Sequence, residues 1–355
     1  MKKERNRKKR RSLLWLTAVL GAGTVLGAGL LSGCGQPGPE TGSQGLPAET
    51  EPLLPEEDLV VVGMSQVGSE SMWRTANTNS IQNVFTQENG YFLLFDNARQ
   101  KQENQIKALR SFISQRVDYI IFSPITESGW DTVLQEAKEA QIPVIIIDRK
   151  VDVKDPSLYV SWVGSDFMRE GRQAGETLAA YLEQQGRTEE SIRIVVLRGT
   201  EGSTATIGRT DGFREVAAEH ENWLILEEAD GDFTTAKGHE EMERMLETYQ
   251  DIDVLISQND DMTFGALEAI QDAGKTVGTE GDIMVFSFDA TKSALKLVEQ
   301  GMVTADIECN PNQGEYAEEV IRRLEQGKPV AKLYFVPGQI FTEDNVSDAI
   351  EGRAY

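Results

Sequence analysis

Leu59-Val-Val-Val-Gly-Met-Ser-Gln-Val-Gly-Ser-Glu-Ser-Met-Trp-Arg74 begins as an apolar, β-branched run and ends in a cluster of small and charged polar residues. The run Leu59 to Met64 predicts a buried parallel strand. It stops at Ser65, and a helix pattern begins near Ser69. Strand, polar turn and helix N-terminus, in that order, are how an open α/β sheet builds a ligand crevice at the carboxyl ends of its strands. The turn carries Ser65, Gln66, Ser69, Glu70, Trp73 and Arg74, groups suited to a polyhydroxylated ligand.

Outward from this stretch, short apolar runs alternate with helical patterns to the end of the chain. Strands are predicted at 59–64, 91–95, 119–123, 144–148 and 159–163. A second series follows at 192–197, 223–228, 254–258 and 283–288, and 303–308 and 333–336 close the chain. Nine helical patterns lie between them. Strict alternation predicts an α/β protein of doubly wound parallel sheets covered by helices on both faces. About eleven strands fit two sheets better than one. Strands end in polar residues at Ser65, Ser123, Asp148, Gln258 and Asp289, so ligand-facing groups collect at one edge of each sheet.

The first 33 residues read differently. Met1 to Arg11 is densely cationic, Leu13 to Leu31 is apolar and rich in Gly and Ala, and Leu31-Ser-Gly-Cys34 follows. A cationic region, an apolar core and small residues before a cut are the parts of an export signal. The apolar run is also long enough for an uncleaved signal anchor. Leu-Ser-Gly-Cys resembles the bacterial lipobox, which implies export, a signal peptide over 1–33, lipidation at Cys34 and attachment by acyl chains to the outer face, or the periplasmic side, of a cell membrane. Residues 34–57 are rich in Pro, Gly and acids; they bury too little apolar surface to fold and read as a tether.

The formal charge is −23, and it is uneven. Residues 1 to 33 hold eight Lys or Arg against one acid, leaving the remainder at 27 basic and 57 acidic residues. Such a body repels a phosphate backbone, which argues against nucleic acid as a partner; the acidity otherwise serves solubility. Neither Cys34 nor Cys309 sits in a CxxC, and His220 and His239 lack a ligand-spaced partner, so no metal site is expected. With Cys34 acylated, Cys309 is a lone thiol, either packed or lining a cleft; no His stands ready to activate it. Walker A, HExxH, GxSxG and a GxGxxG after a strand are all missing from the body. No cofactor and no enzymatic activity are expected, although acidic residues are too plentiful to exclude a glycosidase by residue type.

Other strand ends carry further candidates. Asp148-Arg149 pairs acceptors with a planar fork of donors, matching vicinal sugar hydroxyls; the alternative is a plain salt bridge. In Ser257-Gln-Asn-Asp-Asp261, one of the acids is expected to cap the following helix, and Asn259 to point into a cleft. Asp289 is either a ligand acceptor or the cap of the helix at Lys292. Trp73 and Phe233 are the aromatics placed at a site, where flat rings would pack on the apolar faces of a sugar. Trp130 and Trp162 read as packing residues.

The residues now match a family. Gly63-Met-Ser-Gln-Val-Gly-Ser-Glu-Ser-Met-Trp-Arg-Thr75, Gln100-Lys-Gln-Glu-Asn-Gln-Ile-Lys107, Asp148-Arg149 with Asp152-Val-Lys154, Gly231-Asp-Phe233 and Gln258-Asn-Asp-Asp-Met262 resemble the periplasmic-type sugar-binding proteins of ABC importers, the ribose- and galactose-binding class. Ser-Gln-x-Gly-Ser-Glu-Ser-x-Trp-Arg is similar to the galactofuranose-binding subgroup. The resemblance spans Leu59 to Tyr355. It implies the type I periplasmic binding protein fold, with two lobes joined by a three-segment hinge and closing on a sugar. The N-terminal lobe would take 58–164 and 310–337, and the C-terminal lobe 165–309 and 338–355. Ser65, Glu70, Trp73, Arg74, Asp148 and Arg149 would come from the first lobe; Phe233, Asn259 and Asp289 would come from the second. Ser123 matches a position that is often Asn in ribose binders. Ile207 stands where many ribose binders have Arg, and Cys309 where they have Gln; both departures point away from ribose and agree with the galactofuranose subgroup.

The expected function is therefore a lipid-anchored, monomeric receptor that delivers a monosaccharide, a furanose hexose, to an ABC transporter permease. The alternatives are a receptor feeding a chemoreceptor or sensor kinase, and a secreted glycosidase. A repressor of this fold would need a helix-turn-helix where this chain has a signal and tether.

Overall fold

The computed structural model describes residues 59–355. The expectations for Cys34, the signal peptide and the tether lie outside them. In chain order the elements are β1 Val60–Gln66, α1 Met72–Val84, β2 Tyr91–Asn97, α2 Gln102–Gln115, β3 Tyr119–Phe122, α3 Asp131–Glu139, β4 Val144–Ile147, β5 Ser161–Gly164, α4 Phe167–Gln184, β6 Ile192–Arg198, α5 Thr204–Ala217, β7 Trp223–Asp230, α6 Thr235–Thr248, β8 Val254–Ser257, α7 Asp260–Asp272, β9 Met284–Phe288, α8 Lys292–Glu299, β10 Ala305–Ile307, α9 Gly314–Glu325, β11 Leu333–Phe335, β12 Ile340–Phe341 and α10 Val346–Gly352.

The strands form two sheets, in the orders β11-β5-β4-β3-β1-β2 and β12-β10-β9-β8-β6-β7. Every pairing is parallel except that of β12 with β10. The central strands β3, β4, β8 and β9 are buried at every position. Parallel strands with helices on both faces need such continuous apolar runs. Alternate residues feed opposite faces: Ile120 and Phe122 join one apolar cluster of the first sheet while Tyr119 and Ile121 join the other. In the second sheet Val195 and Leu197 pack on one side, Ile194 and Val196 on the other. These are the two expected α/β lobes. The chain passes between the sheets three times, after β5, after β10 and after β11.

Two elements escaped the sequence reading. β12 has only two residues, and α10, which starts at Val346 directly after Asn345, has no strong apolar period. Both are edge or terminal pieces, docked by contacts from elsewhere in the chain. A third difference matters more. β1 continues through Gln66, where it pairs with Asn97 of β2, and α1 starts only at Met72. Ser71 caps that helix, its hydroxyl accepting from the Arg74 amide at 3.0 Å. Asp166, Ser203, Thr234, Asn259 and Thr291 cap α4, α5, α6, α7 and α8 in the same way. Each cap satisfies an amide that the first helical turn leaves unpaired.

Candidate functional site

A cavity lies between the carboxyl ends of the two sheets. Glu70, Ser71, Trp73, Arg74, Asp148 and Arg149 line it from the first lobe, and Phe167, Ala205, Arg209, Phe233, Asn259, Asp289 and Cys309 from the second. Its empty volume is about 310 Å³.

The first wall is built around Arg74. Its Nη1 donates to Asp148 Oδ2 at 2.7 Å and its Nε to Glu70 Oε1 at 3.0 Å. Burial by itself would lower the pKa of Arg74, but Asp148 and Glu70 outweigh it and raise the pKa. Ser123 donates its hydroxyl to the same Asp148 oxygen at 3.0 Å. The side-chain hydrogen bonds to the Asp148 carboxylate among the described residues fall on Oδ2. Glu70 Oε2 is buried and without a partner among the described residues. A buried carboxylate oxygen left unpaired is costly, so Glu70 Oε2 stands in want of a donor.

Arg149 is 2% exposed and donates Nη1 to the Ile125 carbonyl at 2.8 Å. Its Nε stands 3.9 Å from Asp148. Burial, followed by repulsion from Arg74, pushes its pKa down to about 10. Its guanidinium lies 5.2 Å from the centre of the Phe233 ring on the opposite lobe. Gly199 is what admits that ring: a Cβ there would fall 1.8 Å from Phe233.

The second wall is built around Arg209. It donates Nε to Glu170 at 2.9 Å, Nη2 to Asp289 at 3.2 Å, and Nη1 to the Gln258 carbonyl. Gly171 lets α4 approach so closely that a Cβ there would sit 2.2 Å from the Arg209 carbonyl oxygen, which brings Glu170 to its partner. Burial raises the pKa of Glu170, and raises that of Asp289 strongly, with Arg209 offsetting only part of the effect. Burial also raises the Cys309 thiol well above its ordinary value, which keeps it neutral. Trp73, although it belongs to α1 of the first lobe, packs in the apolar cluster of the second with Phe167, Ala205, Phe233 and Cys309. Its indole N–H donates to the Cys309 carbonyl.

Most of the residues expected from sequence meet here: Glu70, Trp73, Arg74, Asp148, Arg149, Phe233, Asn259 and Asp289 all line the cavity. Four do not. Because β1 runs two residues further than expected, Ser65 and Gln66 remain inside the sheet. Gln66 is fully engaged there, donating to Asn77 and Thr78 and accepting from Val67 and Arg74. It positions Arg74 instead of facing the cavity. Ser69 is exposed on the turn and accepts from Asn97 at 3.0 Å. Ser123 lies behind Asp148 and orients it.

The helix caps also differ from expectation. Asn259, not Asp260 or Asp261, caps α7, and it lines the cavity as well. Thr291 caps α8, which removes the cap from the two roles left open for Asp289. Sequence reasoning missed Ser71, Phe167, Ala205 and Arg209. Arg209 and Phe167 sit inside helical patterns and look like any other helix residue. It also missed that Asp148, Phe233 and Asp289 have left-handed backbones, with φ of 59°, 61° and 107°. Such residues concentrate at ligand sites because the surrounding structure must hold them. For Asp148 part of that hold is visible: Trp162, in β5, donates its indole N–H to the Asp148 carbonyl at 2.9 Å.

The family model described as periplasmic binding protein domain matches residues 62–329. A galactofuranose-binding protein of Escherichia coli (strain K12) is 37% identical over 298 residues, 83% of this chain and 91% of that protein. A Mycobacterium smegmatis structure in complex with β-D-fucofuranose has a TM-score of 0.78 at 41% identity, covering 82% of this chain and 94% of that one. The periplasmic binding protein component of the arabinose ABC transporter from Shewanella sp. ANA-3, bound to α- and β-L-arabinofuranose, has a TM-score of 0.77 at 42% identity, covering 83% and 95%.

Proposed function

The chain belongs to the periplasmic binding protein domain family, and from that premise we propose that it is the solute receptor of an ABC sugar importer. It holds one uncharged furanose-ring monosaccharide, galactofuranose or a close analogue, between its lobes. It binds the sugar and releases it unchanged. Export, with a lipid anchor at Cys34, rests on the Leu-Ser-Gly-Cys sequence and would keep the receptor beside its permease.

The carrying observation is the paired charge of the cavity. Arg74 is neutralised by Glu70 and Asp148, and Arg209 by Glu170 and Asp289. Only Arg149 is loosely paired, at 3.9 Å. A phosphate or carboxylate ligand would face carboxylates with little spare positive charge. A neutral polyol instead finds both donors and acceptors, with Trp73, Phe167 and Phe233 available for its apolar faces. Furanose-bound relatives above 40% identity support the ring form.

The test is a thermal-shift screen over pyranose and furanose sugars, followed by calorimetry on the hits. Binding of one uncharged furanose at one site per chain supports the reading, because a ligand that binds only the folded state raises the melting temperature by mass action. Preference for sugar phosphates or uronic acids would sink the neutral-ligand assignment. Turnover of a labelled glycoside would replace the receptor with an enzyme.

A further inference from the structure

Among the described residues, three hydrogen bonds join the lobes outside the cavity lining. The Met72 amide, at the first position of α1, donates to Asp261 Oδ2 at 3.0 Å. The Lys150 amide donates to Thr204 Oγ1 at 2.8 Å. The Glu127 amide donates to the Gly202 carbonyl at 3.0 Å. None of these six residues lines the cavity.

Two of the acceptors are side chains, and neither is the N-cap of its own helix. Ser203 caps α5, leaving the Thr204 hydroxyl to reach Lys150. Asn259 caps α7, leaving the Asp261 carboxylate to reach Met72. Asp261 also has no cationic partner among the described residues; the charged groups acting on it are Glu70 of the first lobe and Asp260 beside it, both acidic. Placing an acid between two acids is unfavourable, and the inter-lobe bond is what this arrangement gains in return. The donors fit the same picture. A first-turn helix amide has no acceptor within its helix, and Met72 finds one only when the lobes are together.

We infer that Asp261 and Thr204 are side-chain clasps that hold the lobes shut and so set how fast a bound sugar escapes, without touching the sugar. Opening the lobes returns both amides and both acceptors to water. The clasps therefore act on the closed state, and their loss shows in dissociation more than in encounter. The release-rate part of this inference rests on the sugar-receptor reading. The clasp itself rests on geometry alone.

The experiment has two arms. In the first, stopped-flow release of L-arabinose is compared for the intact chain and for Asp261→Ala, Asp261→Asn, Thr204→Val and Thr204→Ser. Asp261→Ala is expected to speed release about tenfold, the weight of one hydrogen bond to a charged or buried group. Thr204→Val speeds it several-fold, and association changes little in either. Asp261→Asn and Thr204→Ser keep an oxygen acceptor and retain slow release. This rescue separates the clasp from general damage to the fold. Unchanged release in both Asp261→Ala and Thr204→Val overturns the inference, as does an Asn variant that releases as fast as the Ala variant.

The second arm is hydrogen exchange at the Met72 and Lys150 amides in the protein saturated with whichever sugar binds it, so that the lobes are closed. Protection that is lost at Met72 in Asp261→Ala and at Lys150 in Thr204→Val supports the clasps. Equal exchange with and without those side chains overturns them. If L-arabinose fails to bind the intact chain, the choice of sugar falls, and this arm still decides the clasp.

Discussion

Trp73 of the first lobe donates its indole N–H to the Cys309 carbonyl on the strand-end segment of the second. The ring is 4% exposed and packs with Phe167, Phe233 and Cys309. One side chain thus lines the cavity and bonds across the lobes. Trp73→Phe keeps a flat ring but leaves the Cys309 carbonyl without that donor. An unsatisfied buried acceptor costs roughly 1–3 kcal/mol. The expected result is a loss of affinity of about ten- to a hundred-fold by calorimetry, larger than the loss in melting temperature. Equal affinity would show that the bond is dispensable for closure.

Arg149 is expected to behave differently from its neighbours. Burial and Arg74 push its pKa down to about 10, so the fold gains little from holding it charged. Its nearest ionic partner among the described residues, Asp148, stands at 3.9 Å. Arg149→Ala should abolish sugar binding while the melting temperature of the sugar-free chain changes by only a few degrees. Calorimetry with unchanged affinity would remove Arg149 from the site.

Arg209 presents the contrary case. It pairs with both Glu170 and Asp289, each nearly inaccessible to solvent. Arg209→Met leaves two buried acids with no cation, and removing one partner of a buried pair costs roughly 3–5 kcal/mol. A large drop in denaturant midpoint is expected even without sugar, partly recovered by the double variant Arg209→Met with Glu170→Gln. Full stability of the single variant would contradict the pairing.

Asp261 gives a pH signature. Burial raises its pKa to about 7 in the closed protein, with Asp260 and Glu70 adding to the shift. The folded value lies above the unfolded one, so the folded state holds the proton more tightly. Its stabilising contribution is therefore full below the unfolded value near 4, and is lost as pH rises through 7. Asp261→Asn carries no titrating group. Its melting temperature relative to the unaltered chain should climb between pH 5 and pH 8. A difference that stays flat over that interval would place the carboxyl in water.

The candidate site was legible where a chemical type coincided with a strand end. Asp148, Arg149, Asn259 and Asp289 follow apolar runs directly, and the strand edge decides that they face a crevice. Gln66 and Ser65 failed the same test by two residues of strand. One added pair of ladder positions moves a side chain from the crevice into the sheet interior, and no local signal fixes where a parallel ladder ends. Arg209 failed for another reason. Its role depends on Glu170 and Asp289, which are 39 and 80 residues away in sequence.

Sequence by itself determined the α/β class, the two series of strands and the family resemblance carried by Ser65 to Arg74. It could do so because buried parallel strands and capped helices leave local patterns in the chain. Tertiary structure alone decided that Trp73 completes the core of the opposite lobe, that Asp148, Phe233 and Asp289 are held in left-handed conformations, and that Asp261 and Thr204 bridge the lobes. Those features come from contacts between segments distant in sequence, whose energies depend on the closed packing of the two lobes and leave no trace in local periodicity.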